Sequence, residues 1–126
     1  DDQFHLNTII LDVTATNETT VAITRTLTVP TGINVIVDGM VQIVASTAAT
    51  ALLISDLAET DQLPQTGTGF STLTIAGAAS QIGVSYRCRT NTSAQVRTRR
   101  QVSGTGEITR ISTRGWIDVR GKGGGL

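Results

Sequence analysis

Aromatic residues, histidine and cysteine are scarce in this chain of 126 residues, and each scarcity excludes a class of function. A zinc site needs several histidine or cysteine ligands, but His5 and Cys88 are the only residues of their types. A Ser-His-Asp triad would have to use His5, in the N-terminal segment. A single cysteine forms no internal disulfide, which excludes a disulfide-stapled secreted domain. We therefore predict no catalytic residues, no metal site and no cofactor.

Long apolar runs are also missing. No segment approaches the roughly 20 apolar residues of a membrane-spanning helix, and no basic-then-apolar signal segment opens the chain. We therefore expect no membrane insertion. Met40 is the only methionine, so Asp1 is not a natural translation start, and we expect a fragment or a processed product.

The residues that are abundant favour strands. Of the chain, 39% is hydrophobic but only 3% is aromatic, so the core must consist mainly of Val, Ile, Leu and Ala. Branched residues of this kind, together with the many threonines, prefer a pleated sheet. A chain of this length is enough for one domain with its own core. We predict a single β domain over residues 1–121 and a flexible glycine-rich tail over 122–126.

Apolar and polar residues alternate along most of the chain, which is the pattern of half-buried strands. The predicted strands cover 8–13, 21–29, 33–37, 40–45, 48–57, 70–76, 81–89, 95–102 and 107–120. Asp38-Gly39 is suited to a type I′ hairpin turn or to a β-bulge. Many short strands with no helical stretches between them predict an all-β fold, an antiparallel β-sandwich of the jelly-roll kind.

The formal net charge is zero, but the charges are segregated. Arg25 is the only basic residue before Arg87, whereas Glu107 and Asp118 are the only acids after it. Such asymmetry can indicate a nucleic-acid-binding face. We favour pairing of acidic and basic strands within the fold or across a subunit interface, because nucleic-acid readers interleave aromatic residues for stacking. We therefore expect no nucleic-acid partner.

The segment 58–69 has no hydrophobic period and contains proline and glycine, which predicts a long exposed loop. Loops on a rigid sandwich often carry recognition, and an indole stacks on sugars and anchors interfaces. The candidate contact residues are Asp61, Gln62, Gln65, Thr66 and Trp116. For Trp116 the alternative is packing in the core or between subunits.

The acids at the start of this loop, Asp56, Glu59 and Asp61, allow two other interpretations. Clustered carboxylates bind calcium, and glycosidases use a pair of carboxylates across a cleft. The spacing of these three matches neither pattern. A solvated acidic loop is the simpler interpretation.

The last third of the chain carries a family resemblance. Arginine and apolar residues alternate within 89–100, and Gly-Trp-Ile-Asp at 115–118 is followed by Arg-Gly at 120–121. This pattern resembles the C-terminal end of bacteriophage tail-fibre and tailspike proteins. The Pro-Thr-Gly turn at 30–32 also looks like a turn between sandwich strands in such tips.

The resemblance implies a homotrimeric β-sandwich at the distal end of a virion fibre, folded in the cytoplasm of the host bacterium. Its partners would be copies of itself and a bacterial surface polysaccharide or outer-membrane protein. Two alternatives stay open. One is a domain that only trimerises or caps the fibre. The other is a carbohydrate-active enzyme domain, with Asp56, Glu59 or Asp61 as its acid.

Overall fold

The computed structural model describes residues 2–46, 48–66, 71–118 and 120. The strands in these residues are β1 (Asp2–Ala15), β2 (Ile23–Thr26), β3 (Ile36–Ala45), β4 (Thr50–Ser55), β5 (Leu73–Ile75), β6 (Ser80–Arg89), β7 (Gln95–Arg100) and β8 (Ile108–Asp118). They form two four-stranded antiparallel sheets. Sheet A has the order β1-β8-β3-β6, and sheet B has the order β2-β7-β4-β5. The predicted all-β sandwich is confirmed. The described residues include no apolar helix of membrane-spanning length.

The core lies between the two sheets because successive side chains of a strand point to opposite faces. In β3, for example, Val41, Ile43 and Ala45 are buried, while Met40 is exposed on the other face. The core cluster consists of Leu27, Val37, Val41, Ile43, Ala45, Leu52, Ile54, Leu73, Ile75, Tyr86, Val96 and Ile111. Full burial of a large apolar side chain contributes about 1.5–3 kcal/mol, so this cluster is the main source of stability.

The Asp38-Gly39 pair is not a hairpin turn: it lies inside one continuous strand, opposite a bulge at Arg114 of β8. The predicted strands 33–37 and 40–45 form the single strand β3, whose register against β8 shifts between Asp38 and Gly39. A Cβ atom on Gly39 would lie 2.0 Å from the carbonyl oxygen of Ser112, so a side chain does not fit there. A Cβ atom on Gly115 would likewise lie 2.0 Å from the carbonyl oxygen of Phe4.

Several strand boundaries differ from the prediction. The segment 21–29 is a strand only from Ile23 to Thr26, and β1 begins six residues earlier than predicted, at Asp2 instead of residue 8. Asn17 has a positive φ of 54° and lies where the chain passes from β1 of sheet A to β2 of sheet B. The predicted tail over 122–126 lies outside the described residues, as does the end of the predicted loop.

Acidic and basic segments meet within the fold, as the charge pattern predicts. The ion pairs are Arg25–Glu18, Arg87–Asp38, Arg99–Asp61, Arg100–Glu107, Arg114–Asp38 and Arg120–Asp118. Three of these six, Arg87–Asp38, Arg99–Asp61 and Arg114–Asp38, join a basic residue of the C-terminal part to an acid from earlier in the chain. Much of the segregated charge is therefore neutralised without a second subunit.

One of these pairs is fully buried. Arg100 and Glu107 are 1% and 0% exposed, and Nη2 of Arg100 lies 2.6 Å from Oε1 of Glu107. Arg100 also donates to the carbonyl oxygens of Ile108 and Val44, and the backbone N–H of Ser46 donates to Glu107. Burial lowers the pKa of Arg100, and the Glu107 carboxylate opposes that shift. The pair ties β7 of sheet B to the ends of β3 and β8 in sheet A.

Candidate functional site

The outer face of sheet A presents side chains in rows that cross the strands. Paired residues of neighbouring strands lie on the same face, so the register defines each row. The first row contains Thr14, Arg110, Gln42 and Gly83. The second row contains Leu11, Ser112, Met40 and Ser85. The third row contains Asp38 and Arg87. The side chain of Arg114 forms an ion pair with Asp38.

Short residues in the first two rows leave a depression. Glycine or serine occupies three positions, namely Gly83, Ser85 and Ser112, beside longer neighbours. The depression has a volume of 480 Å³. It is lined in part by Leu11, Met40, Gln42, Ser85, Arg110 and Ser112. A smaller depression of 280 Å³ is lined by Asp38, Ser85, Tyr86, Arg87 and Arg114. Because Ser85 lines both, we treat them as one feature, the sheet A groove.

The middle of the sheet A groove is apolar. Met40 is 39% exposed and Leu11 is 59% exposed, although both are large hydrophobic residues. Polar groups flank them: Nη1 of Arg110 donates to Oε1 of Gln42 at 2.8 Å, and the Ser112 hydroxyl donates to the carbonyl oxygen of Met40. An apolar floor with a few positioned polar groups is typical of small-molecule sites.

The far end of the groove is organised around a buried carboxylate. Asp38 is 3% exposed, and Nη2 of Arg114 lies 2.9 Å from its Oδ1. The hydrogen bond to Asp38 raises the pKa of Arg114. Arg87 is held more loosely, with its Nε 3.9 Å from the same oxygen and a side chain that is 59% exposed. The Arg87 guanidinium is therefore accessible to a ligand.

Tyr86 and Cys88 are two residues apart in β6, so both side chains lie on its inner face. Burial raises the pKa of Tyr86 well above its usual range, and its buried hydroxyl has no hydrogen-bond partner among the described residues. Burial, together with the nearby carboxylates of Asp56 and Glu59, raises the pKa of the Cys88 thiol to about 12. The Cys88 sulfur is thus a protonated thiol at neutral pH, which makes it a poor nucleophile.

The predicted contact loop lies against the outer side of sheet B. Arg97 donates to the carbonyl oxygens of Glu59 and Leu57, at 2.7 Å and 3.4 Å. Arg99 forms an ion pair with Asp61 at 2.9 Å. The loop residues Asp61, Gln62, Gln65 and Thr66 are exposed, as predicted. The carboxylate of Asp61 is nevertheless engaged by Arg99, and two arginines hold the first half of the loop.

Trp116 lies in the other sheet. It is half-buried in β8, opposite the fully buried Val37, and its ring stacks on Phe4 with centroids 5.6 Å apart and an interplanar angle of 23°. The predicted contact residues therefore divide between a loop over sheet B and a strand of sheet A. Within this chain Trp116 packs on Phe4, in keeping with the alternative that its ring is a packing residue.

Of the three acids at the start of the loop, Asp56 has a local contact. Oδ1 of Asp56 accepts a hydrogen bond from the backbone N–H of Ala58 at 2.9 Å, which stabilises the turn after β4. Within the described ranges, no three histidine, cysteine or acidic residues are placed to hold a metal ion.

Sequence reasoning missed the sheet A groove. Its signal was present in β3, where Met40 is out of phase with the buried Val41 and Ile43 and so lies on the polar side of the strand. Likewise, Arg110 and Ser112 alternate with buried residues of β8. The alternation shows that these residues are exposed, but only the strand order brings them together.

Comparisons with known proteins give no relative: no family model, no curated protein and no solved structure matches this chain. What the chain does is therefore inferred from its own fold and surface.

Proposed function

We propose that this chain is a receptor-binding tip domain of a bacteriophage tail fibre or tailspike. It binds a bacterial surface glycan or protein, acts without catalysis or a cofactor, assembles as a homotrimer and is part of the virion after folding in the host cytoplasm. The observation that carries the proposal is the sheet A groove, because a concave surface with an apolar floor and polar edges suits ligand binding.

The strand order supports this proposal. Eight strands with the orders β1-β8-β3-β6 and β2-β7-β4-β5 make up a jelly roll, an architecture that viral capsid and lectin domains use. This is an analogy at the level of the fold. It favours a binding role in a virion but does not identify the ligand.

The position of the C-terminal motif also supports it. Gly115 to Asp118 belong to β8, which lies between β1 and β3 in sheet A. Gly115 has no room for a side chain beside Phe4, and Trp116 stacks on that same residue. The motif that resembles fibre tips is thus a structural element of the sheet that carries the groove.

Strand β1 provides a surface for self-association. It is an edge strand, and its register against β8 shifts between His5 and Ile10. Its exposed apolar side chains outside the sheet A groove include Phe4, Ile9 and Ile10. Edge strands of monomeric proteins are usually covered or charged, and exposed apolar clusters mark interaction sites. This edge also favours the second candidate function, a domain that only trimerises or caps a fibre.

Two measurements test the proposal. Light scattering of the purified chain is expected to give a trimer of about 40 kDa, three times the 13.2 kDa chain. Adsorption to a panel of intact bacteria is expected for at least one strain, with loss of adsorption when the surface polysaccharide or receptor protein is removed. A trimer that adsorbs to no strain would support the capping function instead. A monomer that adsorbs to none would contradict both functions.

A further inference from the structure

The two ends of the sheet A groove are positively charged. The first end has Arg110, which donates to the neutral Gln42 and forms no ion pair with any residue that the structure describes. The other end has Arg87 and Arg114 around the single carboxylate of Asp38. The first end therefore has a net charge of +1 from one arginine. The other end also has a net charge of +1, because one aspartate neutralises one of its two arginines.

The spacing of the two ends suits an extended ligand. Gln42, which pairs with Arg110, lies four residues from Asp38 on β3. At about 3.3 Å per residue of strand, the two rows are about 13 Å apart. The exposed side chains of Met40 and Leu11 occupy the row between them. A ligand that spans the groove therefore meets a cation, an apolar patch and a second cation in that order.

We infer that the sheet A groove binds a polysaccharide whose sugars carry carboxylate groups, such as a uronic-acid polymer. This inference rests on the proposed receptor-binding function and names the chemical class of its ligand. A guanidinium holds a carboxylate through two parallel hydrogen bonds. Arg110 and Arg87 bind carboxylates at the two ends, and the C–H face of a sugar ring packs on Met40 and Leu11. Gln42 and Ser85 provide hydrogen bonds for hydroxyl groups.

The charge at each end favours carboxylates over phosphate monoesters. A carboxylate has one negative charge, which matches the net charge of each end, whereas a terminal phosphate has about −1.5 to −2. The apolar middle of the groove argues against nucleic acid. Proteins that bind single strands combine a continuous basic groove with aromatic stacking platforms, and the row between the two cationic ends contains Met40 and Leu11 instead.

The test uses immobilised purified bacterial polysaccharides of three kinds: uronate-containing, phosphate-containing and neutral. Each uronate polymer is also tested after chemical reduction of its carboxylates to alcohols. We expect the chain to bind at least one uronate polymer and to lose that binding on carboxyl reduction. Arg110→Gln or Arg87→Gln is expected to weaken binding about tenfold or more, the effect of losing a charge-assisted hydrogen bond. Arg97→Gln, which removes the same charge from sheet B, is the control and changes affinity less than about twofold.

Thermal unfolding of each variant confirms that a loss of binding is not a loss of fold. Adsorption to bacteria through a neutral polysaccharide or a protein, unaffected by Arg110→Gln, would overturn this inference and leave the proposed function standing. Binding of a phosphate polymer or of DNA as tight as that of the uronate polymer would also overturn it. Absence of binding to every polysaccharide and every bacterial strain would contradict the inference and the proposed function together.

Discussion

At the scale of single residues, the buried ion pair of Arg100 and Glu107 is the feature that sequence reasoning could least anticipate. Alternation along β7 puts Arg100 on the same face as Val96 and Thr98. Charged residues are almost never fully buried without a partner, and nothing local to β7 identifies Glu107 as that partner. Tertiary structure alone brings the carboxylate and the backbone carbonyls to the guanidinium.

Substitution Glu107→Gln is expected to lower the free energy of unfolding by about 3–5 kcal/mol, because it leaves the Arg100 charge buried and unpaired. Urea unfolding followed by circular dichroism measures the change. The matched control is Asp61→Asn, which breaks the exposed pair with Arg99 and is expected to cost less than about 1 kcal/mol. Equal effects of the two substitutions would mean that the buried pair is not a main structural contact.

Cys88 provides a second test at this scale, because burial in the fold raises the pKa of its thiol from 9.0 to about 12. At pH 8.5 the thiol is expected to react with iodoacetamide at least about a hundredfold more slowly in the native chain than in urea, since only the thiolate is nucleophilic. Mass spectrometry of quenched samples gives both rates. Similar rates in the two states would show that Cys88 is not buried as described.

The raised pKa values also fix the direction of the pH dependence. Cys88 and Tyr86 hold their protons more tightly in the folded than in the unfolded chain. Their contribution to stability is fully present below the unfolded pKa values and is lost as the pH rises through the folded ones. The free energy of unfolding should therefore decline above about pH 9.

At the scale of elements, the sequence allowed the strands to be predicted but not their partners. The predicted segments overlap all eight strands, but β4, whose residues also suit a helix, was predicted from its neighbours and not from alternation. Alternation repeats identically along every strand, so it does not say which strand lies beside which. The exposed edge of β1 and the rows of the sheet A groove depend on that order, and both were therefore beyond sequence reasoning.

The Asp38-Gly39 pair shows where a local sequence pattern allowed two structures, and β3 forms neither of them because the bulge opposite the pair is at Arg114 of β8. Asp38-Gly39 suits a hairpin turn and a bulge equally well. The approach of the Ser112 carbonyl oxygen explains why a glycine is needed at that point of β3.

Substitution Gly39→Ala is expected to lower the free energy of unfolding by about 2 kcal/mol or more, because the new methyl group would overlap the β8 backbone. Gly83→Ala is the control: Gly83 also lies in a paired strand, but its nearest contact would be at 3.5 Å. That change should alter stability by less than about 1 kcal/mol. Chemical denaturation compares the two variants. Comparable losses would argue against the close approach of β3 and β8 at Gly39.

At the scale of the whole molecule, the proposed functions of recognition and assembly use different surfaces. The loop over sheet B, which the sequence favoured for recognition, is held by Arg97 and Arg99. The outer face of sheet A instead combines exposed apolar side chains with arginines that face solvent. Strand β1 is an edge strand with exposed apolar side chains, the surface that we propose for association with other copies. Recognition through sheet A and assembly through β1 are therefore compatible in one domain.

The most direct test of recognition through sheet A is a pair of tryptophan substitutions at exposed edge-strand positions. Ser85→Trp fills the groove where its two depressions meet, whereas Thr26→Trp places the same side chain on β2 of sheet B. Adsorption to bacteria that bind the unmodified chain is measured for both variants after their fold is confirmed by circular dichroism. We predict that Ser85→Trp abolishes adsorption and that Thr26→Trp leaves it unchanged. Full adsorption by the Ser85 variant would contradict binding through the sheet A groove.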